Sequence, residues 1–318
     1  MTGIKILSTG SCLPRRVVTN DDMAALVDTS DEWIATRTGI RRRRFASPGE
    51  DTASLAVGAA RAALEEGDIP REKIGAVVVA TFTPSTLVPN TACLVQRELG
   101  LPAGIMAMDL NSACSGFLYG LRVARGLLCQ DPDRYVLVIG AEVLSRVTDF
   151  ADRSTCVLFG DGAGAAVVAA APGAPFFWAA GARGDAGALR CGGPALDAGA
   201  GEPMAIRMDG REVFRFAVDA VPRAICEVMV QAGLTAGEID WYLCHQANAR
   251  IISHVAKVLR EPPEKFFLNL EEYGNTSAAS IPIALDEMNR RGLLQRGQRL
   301  ALAGFGGGLT WGAALMEW

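Results

Sequence analysis

Short apolar runs rich in Val, Ile and Leu recur from one end of the chain to the other: Ile4 to Leu7, Ile74 to Ala80, Tyr135 to Ile139, Ala163 to Ala169, Trp241 to Cys244 and Leu300 to Ala303. The runs are continuous rather than alternating, as strands buried on both faces require, and longer helical patterns separate them. A layered α/β protein is therefore expected. Helices are predicted to open at Asn20, Ser30, Asp51 and Asp209, whose short polar side chains can accept the free N–H groups of a first helical turn. The 318 residues, half of them hydrophobic, suffice for a large core, in one large domain or two of ordinary size.

The pattern also repeats. Asp68 to Ala80 and Leu234 to Cys244 each read as a helix-end turn followed by a strand. A helix then opens near Cys114 in the first series and near Thr276 in the second. The strands Tyr135 to Ile139 and Arg299 to Ala303 follow, and Gly-rich turns beginning at Phe159 and Phe305 close both series. Gly and Pro clusters near Ala171 to Pro175 and Gly192 to Pro203 mark loops, and the first divides the chain into halves 1–172 and 173–318. Two similar layers facing each other would bring the matched helix N-termini together, Cys114 on one and Asn275 on the other.

Charge and cysteine usage exclude several function classes. The net charge of −4, with acids and bases intermixed, provides no broad attraction to nucleic acid or anionic membrane. Met1 to Ser11 lacks the apolar core and cleavage pattern of a secretory signal, so a cytoplasmic location is expected. The longest uncharged stretch, Gly162 to Ala182, is interrupted by Pro172 and Pro175 and reads as strand, turn and strand rather than a membrane span. Eight cysteines, no two closer than fifteen positions, form no CxxC motif; most should be reduced, several in the core, and no metal is expected. Gly160-Asp-Gly-Ala-Gly lacks the lysine and spacing of a phosphate cradle and reads as a tight turn.

Cys114 stands where a strand passes through small residues into an apolar helix. Unpaired N–H groups and the macrodipole at a helix start favour thiolate, and Ser112, Ala113 and Ser115 leave room for an acyl group. A buried core cysteine is the plainer reading. His245, one of two histidines, ends the apolar strand Trp241 to Cys244 at a probable cleft, although a core or capping histidine reads as well. His254 lies on the polar side of a helix, and Asn275 could be a helix cap.

Five segments acquire meaning together: Asp28-Thr-Ser-Asp-Glu-Trp-Ile-Ala-Thr-Arg-Thr-Gly-Ile-Arg, Phe159-Gly-Asp-Gly-Ala-Gly-Ala-Ala, His245-Gln-Ala-Asn, Gly274-Asn-Thr-Ser-Ala-Ala-Ser and Gly304-Phe-Gly-Gly-Gly-Leu-Thr-Trp-Gly. In order and over nearly the whole chain, they resemble β-ketoacyl-acyl-carrier-protein synthase III of the thiolase superfamily. The resemblance implies a duplicated thiolase-like α/β fold layered α-β-α-β-α. It implies a decarboxylative condensation of an acyl-CoA primer with malonyl-acyl-carrier protein that starts fatty acid synthesis, in a homodimer without cofactor. Cys114 matches the family nucleophile, His245 and Asn275 the pair holding the malonyl thioester, and Gly307 with Cys114 the oxyanion hole. Trp33, Arg37 and Arg153 match contacts to the adenine end of coenzyme A, and Gly210 and Asn248 contacts to its pantetheine arm. Val88 and Phe305 match the acyl pocket, Val88 on a loop that reaches across the dimer. Arg250 and Lys257, on one face of a helix, are expected to dock the acidic carrier protein, with Ile251, Ile252, Val255 and Leu259 turned inward. Arg42 to Arg44 read as a solvated basic turn. Tyr273 replaces a histidine common in the family. Two other readings compete: a synthase III relative of secondary metabolism, and a papain-type cysteine protease, since His245 follows Cys114 by 131 residues and Asn275 lies 30 further on.

Overall fold

The computed structural model describes residues 2–193 and 204–318, so the loop expected over Gly192 to Pro203 lies, from 194 onward, outside the described residues. Up to Pro172 the elements run β1 (Thr2–Cys12), β2 (Arg16–Thr19), α1 (Asn20–Ala24), α2 (Asp31–Thr38), β3 (Arg42–Phe45), α3 (Thr52–Glu66), β4 (Ile74–Ala80), α4 (Thr91–Glu98), β5 (Met106–Leu110), α5 (Gly116–Gln130), β6 (Tyr135–Glu142) and β7 (Gly162–Pro172). They continue as β8 (Phe176–Asp185), β9 (Leu189–Cys191), β10 (Ile206–Met208), α6 (Gly210–Ala232), β11 (Trp241–Cys244), α7 (Ala249–Leu259), α8 (Leu270–Tyr273), α9 (Ser280–Arg290), β12 (Arg299–Gly306) and β13 (Gly308–Glu317). Every apolar run named above is a strand, and the uncharged stretch from Gly162 is strand, turn and strand.

Two sheets carry the fold, in the orders β1-β7-β6-β4-β5 and β8-β13-β12-β11. In each, two antiparallel pairings are followed by a parallel one: β1-β7, β7-β6, β6-β4 and β8-β13, β13-β12, β12-β11. The counterpart of β5 in the second sheet is reduced to one parallel bridge between Tyr242 and Phe266. The strands of the first sheet end at or before Pro172 and those of the second follow it, which is the repeat read from the sequence.

Period-two geometry explains why these strands are apolar throughout. On β4, Ala76 and Val78 face a central core shared with α5 and α9, while Val77 and Val79 face α3 and α4. On β6, Val136 and Val138 face the centre and Leu137 and Ile139 the outside. Helices α5 and α9 touch both sheets; α3 covers the outer face of the first and α6 that of the second. The layers are thus α-β-α-β-α, as expected.

Ser30, Asp51 and Asp209 cap their helices, accepting from Trp33 N, Ser54 N and Arg211 N. Asn20 does not. Thr19 caps α1 instead, and buried Asn20 donates to Asp31 Oδ1 and Ile40 O, both at 2.8 Å. The basic run Arg42 to Arg44 also departs from expectation. It forms β3 against β2, and the alternation of a strand buries Arg43 completely, bonded to Asn20 Oδ1 and Val157 O, each at 2.8 Å. Burial lowers its guanidinium to about 10. Arg42 stays exposed, paired with Glu272.

Candidate active site

The central helices start alike. Each follows a single 3₁₀ turn, Ala113–Ser115 before α5 and Ser277–Ala279 before α9. Each turn begins on a non-glycine residue in the left-handed region, Ala113 at φ 44° and Ser277 at φ 50°. Such backbone persists only where its surroundings fix it, and here the two turns pack against each other. Glycine permits the approach: a Cβ on Gly140 would stand 2.2 Å from Ala278 O, and one on Gly306 would stand 2.7 Å from Cys114 N.

These turns form the floor of a cleft of about 1420 Å³. Cys114, His245, Asn275, Phe305 and Gly307 line it together, from four separate parts of the sequence. Trp33, Arg37, Gly210, Asn248 and Arg250 line its outer part. Arg153 stands behind Trp33, whose ring lies 5.1 Å from the Arg153 guanidinium and 5.0 Å from that of Arg37. Arg153 is held there by Asp28, at 2.8 Å to its carbonyl. Asn248 caps α7, accepting from Arg250 N and donating to Arg37 O at 3.1 Å. Val88 is 88% exposed and outside the cleft, where its neighbour Leu87 contributes instead. Lys257 and His254 lie on the exposed face of α7, whose Ile251, Ile252, Val255 and Leu259 are buried.

Neighbouring bonds hold both His245 and Asn275. His245 is buried at the end of β11, and burial lowers its imidazole to about 3, so it is neutral near pH 7. Its Nδ1 lies 2.6 Å from Ser280 Oγ. That oxygen also accepts the Gln246 N–H at 3.3 Å, and when its own proton is donated to Nδ1 the imidazole proton stands on Nε2. Asn275 Oδ1 accepts the Ser277 N–H at 2.9 Å, so its amide NH₂ is the end turned away from that bond. Both side chains are neutral, and His245 is a donor toward the cleft in its Nε2–H tautomer.

Cys114 differs from the sequence expectation. Its helix start favours thiolate, but the side chain is only 8% exposed and burial pushes the thiol up to about 12. A hydrogen bond with Ser277 works to lower it, and the charge of Glu142 works to raise it. Ser277, Ser280 and Glu142 were not apparent as site residues in the sequence. The only linear signal is an acid, Glu142, closing a buried strand. Among the described residues, no group of His, Cys, Asp and Glu is placed to hold a metal ion, and no helix is long and apolar enough to cross a membrane.

Five layers, with paired central helices whose first turns meet in one cleft, define a condensing enzyme of the thiolase fold. Two family models match, 3-oxoacyl-[acyl-carrier-protein] synthase III over residues 108–182 and its C-terminal part over 229–318. The β-ketoacyl-[acyl-carrier-protein] synthase III of Oleidesulfovibrio alaskensis is 46% identical over 98% of both chains. The crystal structure of 3-oxoacyl-[acyl-carrier-protein] synthase III from Aquifex aeolicus superposes with a TM-score of 0.93 at 44% identity, over 99% of this chain and 100% of that one. A priming β-ketosynthase of a polyketide pathway is 39% identical with a TM-score of 0.89, over 98% and 96%. The chain belongs to the β-ketoacyl-[acyl-carrier-protein] synthase III family of condensing acyltransferases. The papain-type reading is thereby overturned: its intervals between Cys, His and Asn are matched by coincidence on an unrelated fold.

Proposed function

We propose that Cys114 takes an acyl group from an acyl-CoA, and that His245 and Asn275 then hold the thioester of malonyl-acyl-carrier protein while it loses carbon dioxide. The enolate so formed attacks the acyl-cysteine carbonyl, a C–C bond replaces the C–S bond, and the cysteine sulfur is released. The observation that supports this reading is that two neutral side chains, His245 held at Ser280 and Asn275 held at Ser277 N, line one cleft with the thiol. Donors already oriented stabilise the developing enolate charge without reorganisation, which is worth far more in a dry cleft than in water. The backbone N–H groups of Cys114 and Gly307 would receive the oxyanion when the acyl carbonyl is attacked. The reading calls on no cofactor.

The outer cleft suits an acyl-CoA. Trp33 with Arg37 and Arg153 would offer a flat ring and two cations to an adenine nucleotide, and Gly210 and Asn248, which line the same cleft as Cys114, would meet the pantetheine arm. Arg250 and Lys257 would dock the acidic carrier protein at the rim. Phe305, edge-on to His245, would wall the acyl pocket, with Val88 of a second copy completing it in a homodimer. The division at 172/173 then separates a half carrying the nucleophile from a half carrying the donors, in a cytoplasmic enzyme. The function is tested by intact-protein mass spectrometry after acyl-CoA treatment. One adduct, mapped to Cys114 and absent from Cys114→Ala, is expected; an adduct on Cys244 instead would overturn the assignment.

A further inference from the structure

Thr310 belongs to the Gly-rich run that closes the chain, and the proposed reaction gives it no task, yet its polar side chain is buried on β13. Strands β12 and β13 both pack against the turn that carries Cys114. At that junction Thr310 Oγ1 lies 3.3 Å from Ser112 O, 3.2 Å from Gly307 O and 3.1 Å from Ser115 Oγ. Two carbonyls thus converge on one hydroxyl. Carbonyls only accept, so the Thr310 proton, shared between them in a three-centre bond, is what lets both stand there. Ser115 Oγ, completely buried, can in turn donate to Thr310 Oγ1. The methyl group of Thr310 lies toward Gly308, where an added Cβ would stand 2.8 Å from it. Hydroxyl and methyl therefore have different neighbours, and their contributions can be separated.

We propose that the Thr310 hydroxyl sets the spacing of the oxyanion hole: by joining Ser112 O to Gly307 O it holds Cys114 N and Gly307 N where both reach one oxyanion. Each carbonyl is close along the chain to a donor. Gly307 carries its N–H and the held carbonyl in one residue, and Cys114 stands two residues beyond Ser112. Ala113 between them is fixed in the left-handed region at φ 44°, so a displacement of Ser112 O is passed on to Cys114 N. The two backbones also meet without a side chain between them, since a Cβ on Gly306 would stand 2.7 Å from Cys114 N. Thr310 is thus a positioning residue that acts through two turns. Ser112 O keeps the Ser115 N–H at 3.1 Å within its own turn, so loss of the hydroxyl leaves that turn formed and changes how it meets Gly307. Two acceptors then face each other with no proton between them, and the donors move apart. A misplacement on the order of 1 Å at a reacting centre costs up to about a hundredfold in rate. The inference rests on the proposed function, because it takes Cys114 N and Gly307 N as the oxyanion donors.

The test compares Thr310→Val, which keeps the shape and loses the hydroxyl, with Thr310→Ser, which keeps the hydroxyl and loses the methyl. Two reactions of Cys114 are timed in each by intact-protein mass spectrometry. One is single-turnover acyl transfer, with whichever of acetyl-, butyryl- and octanoyl-CoA acylates the wild type fastest; the other is alkylation by iodoacetamide. Acyl transfer passes through a tetrahedral oxyanion, whereas displacement of iodide by the sulfur does not. Thr310→Val should transfer the acyl group about tenfold to a hundredfold more slowly at saturating acyl-CoA, with half-saturation and alkylation each within about twofold of the wild type. Thr310→Ser should stay within about threefold of the wild type in acyl transfer. Wild-type transfer rates in Thr310→Val overturn the proposal. So does a Thr310→Ser as slow as Thr310→Val, which would make packing of the methyl the cause. Acylation and alkylation falling together in Thr310→Val would put the defect in the thiol or the fold and overturn it as well. A wild type that none of the three thioesters acylates sinks the proposed function, and the inference with it; normal acylation without the Thr310→Val defect sinks the inference alone.

Discussion

His245 Nδ1 and Ser280 Oγ stand 2.6 Å apart, joining the end of β11 to the first residue of α9. A Ser280 hydroxyl that donates to Nδ1 fixes the tautomer the proposed role requires, with the imidazole proton on Nε2 before substrate arrives. Ser280→Ala should let both tautomers populate. Malonyl decarboxylation is then expected to fall about tenfold while self-acylation holds, and imidazole ¹⁵N shifts should report the lost Nε2–H form. Unchanged shifts in the variant would show that something else orients the ring.

Burial of a neutral histidine also makes stability depend on pH. The unfolded chain takes a proton on His245 at about 6.5, whereas the folded protein resists it down to about 3. Between those values the unfolded state binds more protons, so stability is lost as pH falls, by at most about 1.4 kcal/mol per unit. Glu142 works oppositely: its folded value is raised, so the native state holds the extra proton from about 7 downward and gains stability as pH falls. Urea denaturation at pH 6.5 and 4.5 should thus show a smaller acid loss in His245→Asn than in the wild type. An equal or larger loss would mean that the imidazole is solvated and charged in the folded state.

Arg250 and Lys257 are exposed on the outer face of α7, Arg250 at the rim of the cleft and over the Phe214 ring. Rim charges mainly set the encounter rate with a charged partner. Reversing both to Glu should raise KM for malonyl-acyl-carrier protein about tenfold and steepen no other step, leaving acylation by acyl-CoA nearly intact. Equal losses in the two steps would indicate damage to the fold rather than to docking.

The repeat was legible because it is written in local signals, apolar runs and Gly-rich turns at matched positions, and the two sheets follow them strand for strand. What escaped depends on contacts between distant segments. Glu142 and Ser277 are 135 positions apart, and nothing in either neighbourhood marks them as partners. Arg43 was misread for a related reason: three consecutive arginines look solvated, but pairing of β3 with β2 sends the middle one inward to Val157 O. The thiol of Cys114 was placed at its helix start correctly, yet its burial and the nearby carboxylate, which oppose the effect of that start, belong to the tertiary structure.

The two half-reactions should separate cleanly by residue. Cys114 comes from the turn before α5, whereas His245 and Asn275 follow β11 and precede α9, and in the proposed reaction these two are called on only once the malonyl enolate forms. His245→Ala should therefore keep substantial self-acylation and lose decarboxylation about a hundredfold to a thousandfold, the usual cost of one oriented donor. Asn275→Ala should show a similar defect, together with whatever is lost when Ser277 N no longer has its acceptor. Cys114→Ala should behave inversely: no acyl-enzyme, but continued release of labelled carbon dioxide from malonyl-acyl-carrier protein, because both donors keep their partners. Acyl-enzyme formation and carbon dioxide release are measured side by side for the three variants. Complete loss of acylation in His245→Ala, with decarboxylation retained, would make His245 the base for Cys114 and reverse the division of labour.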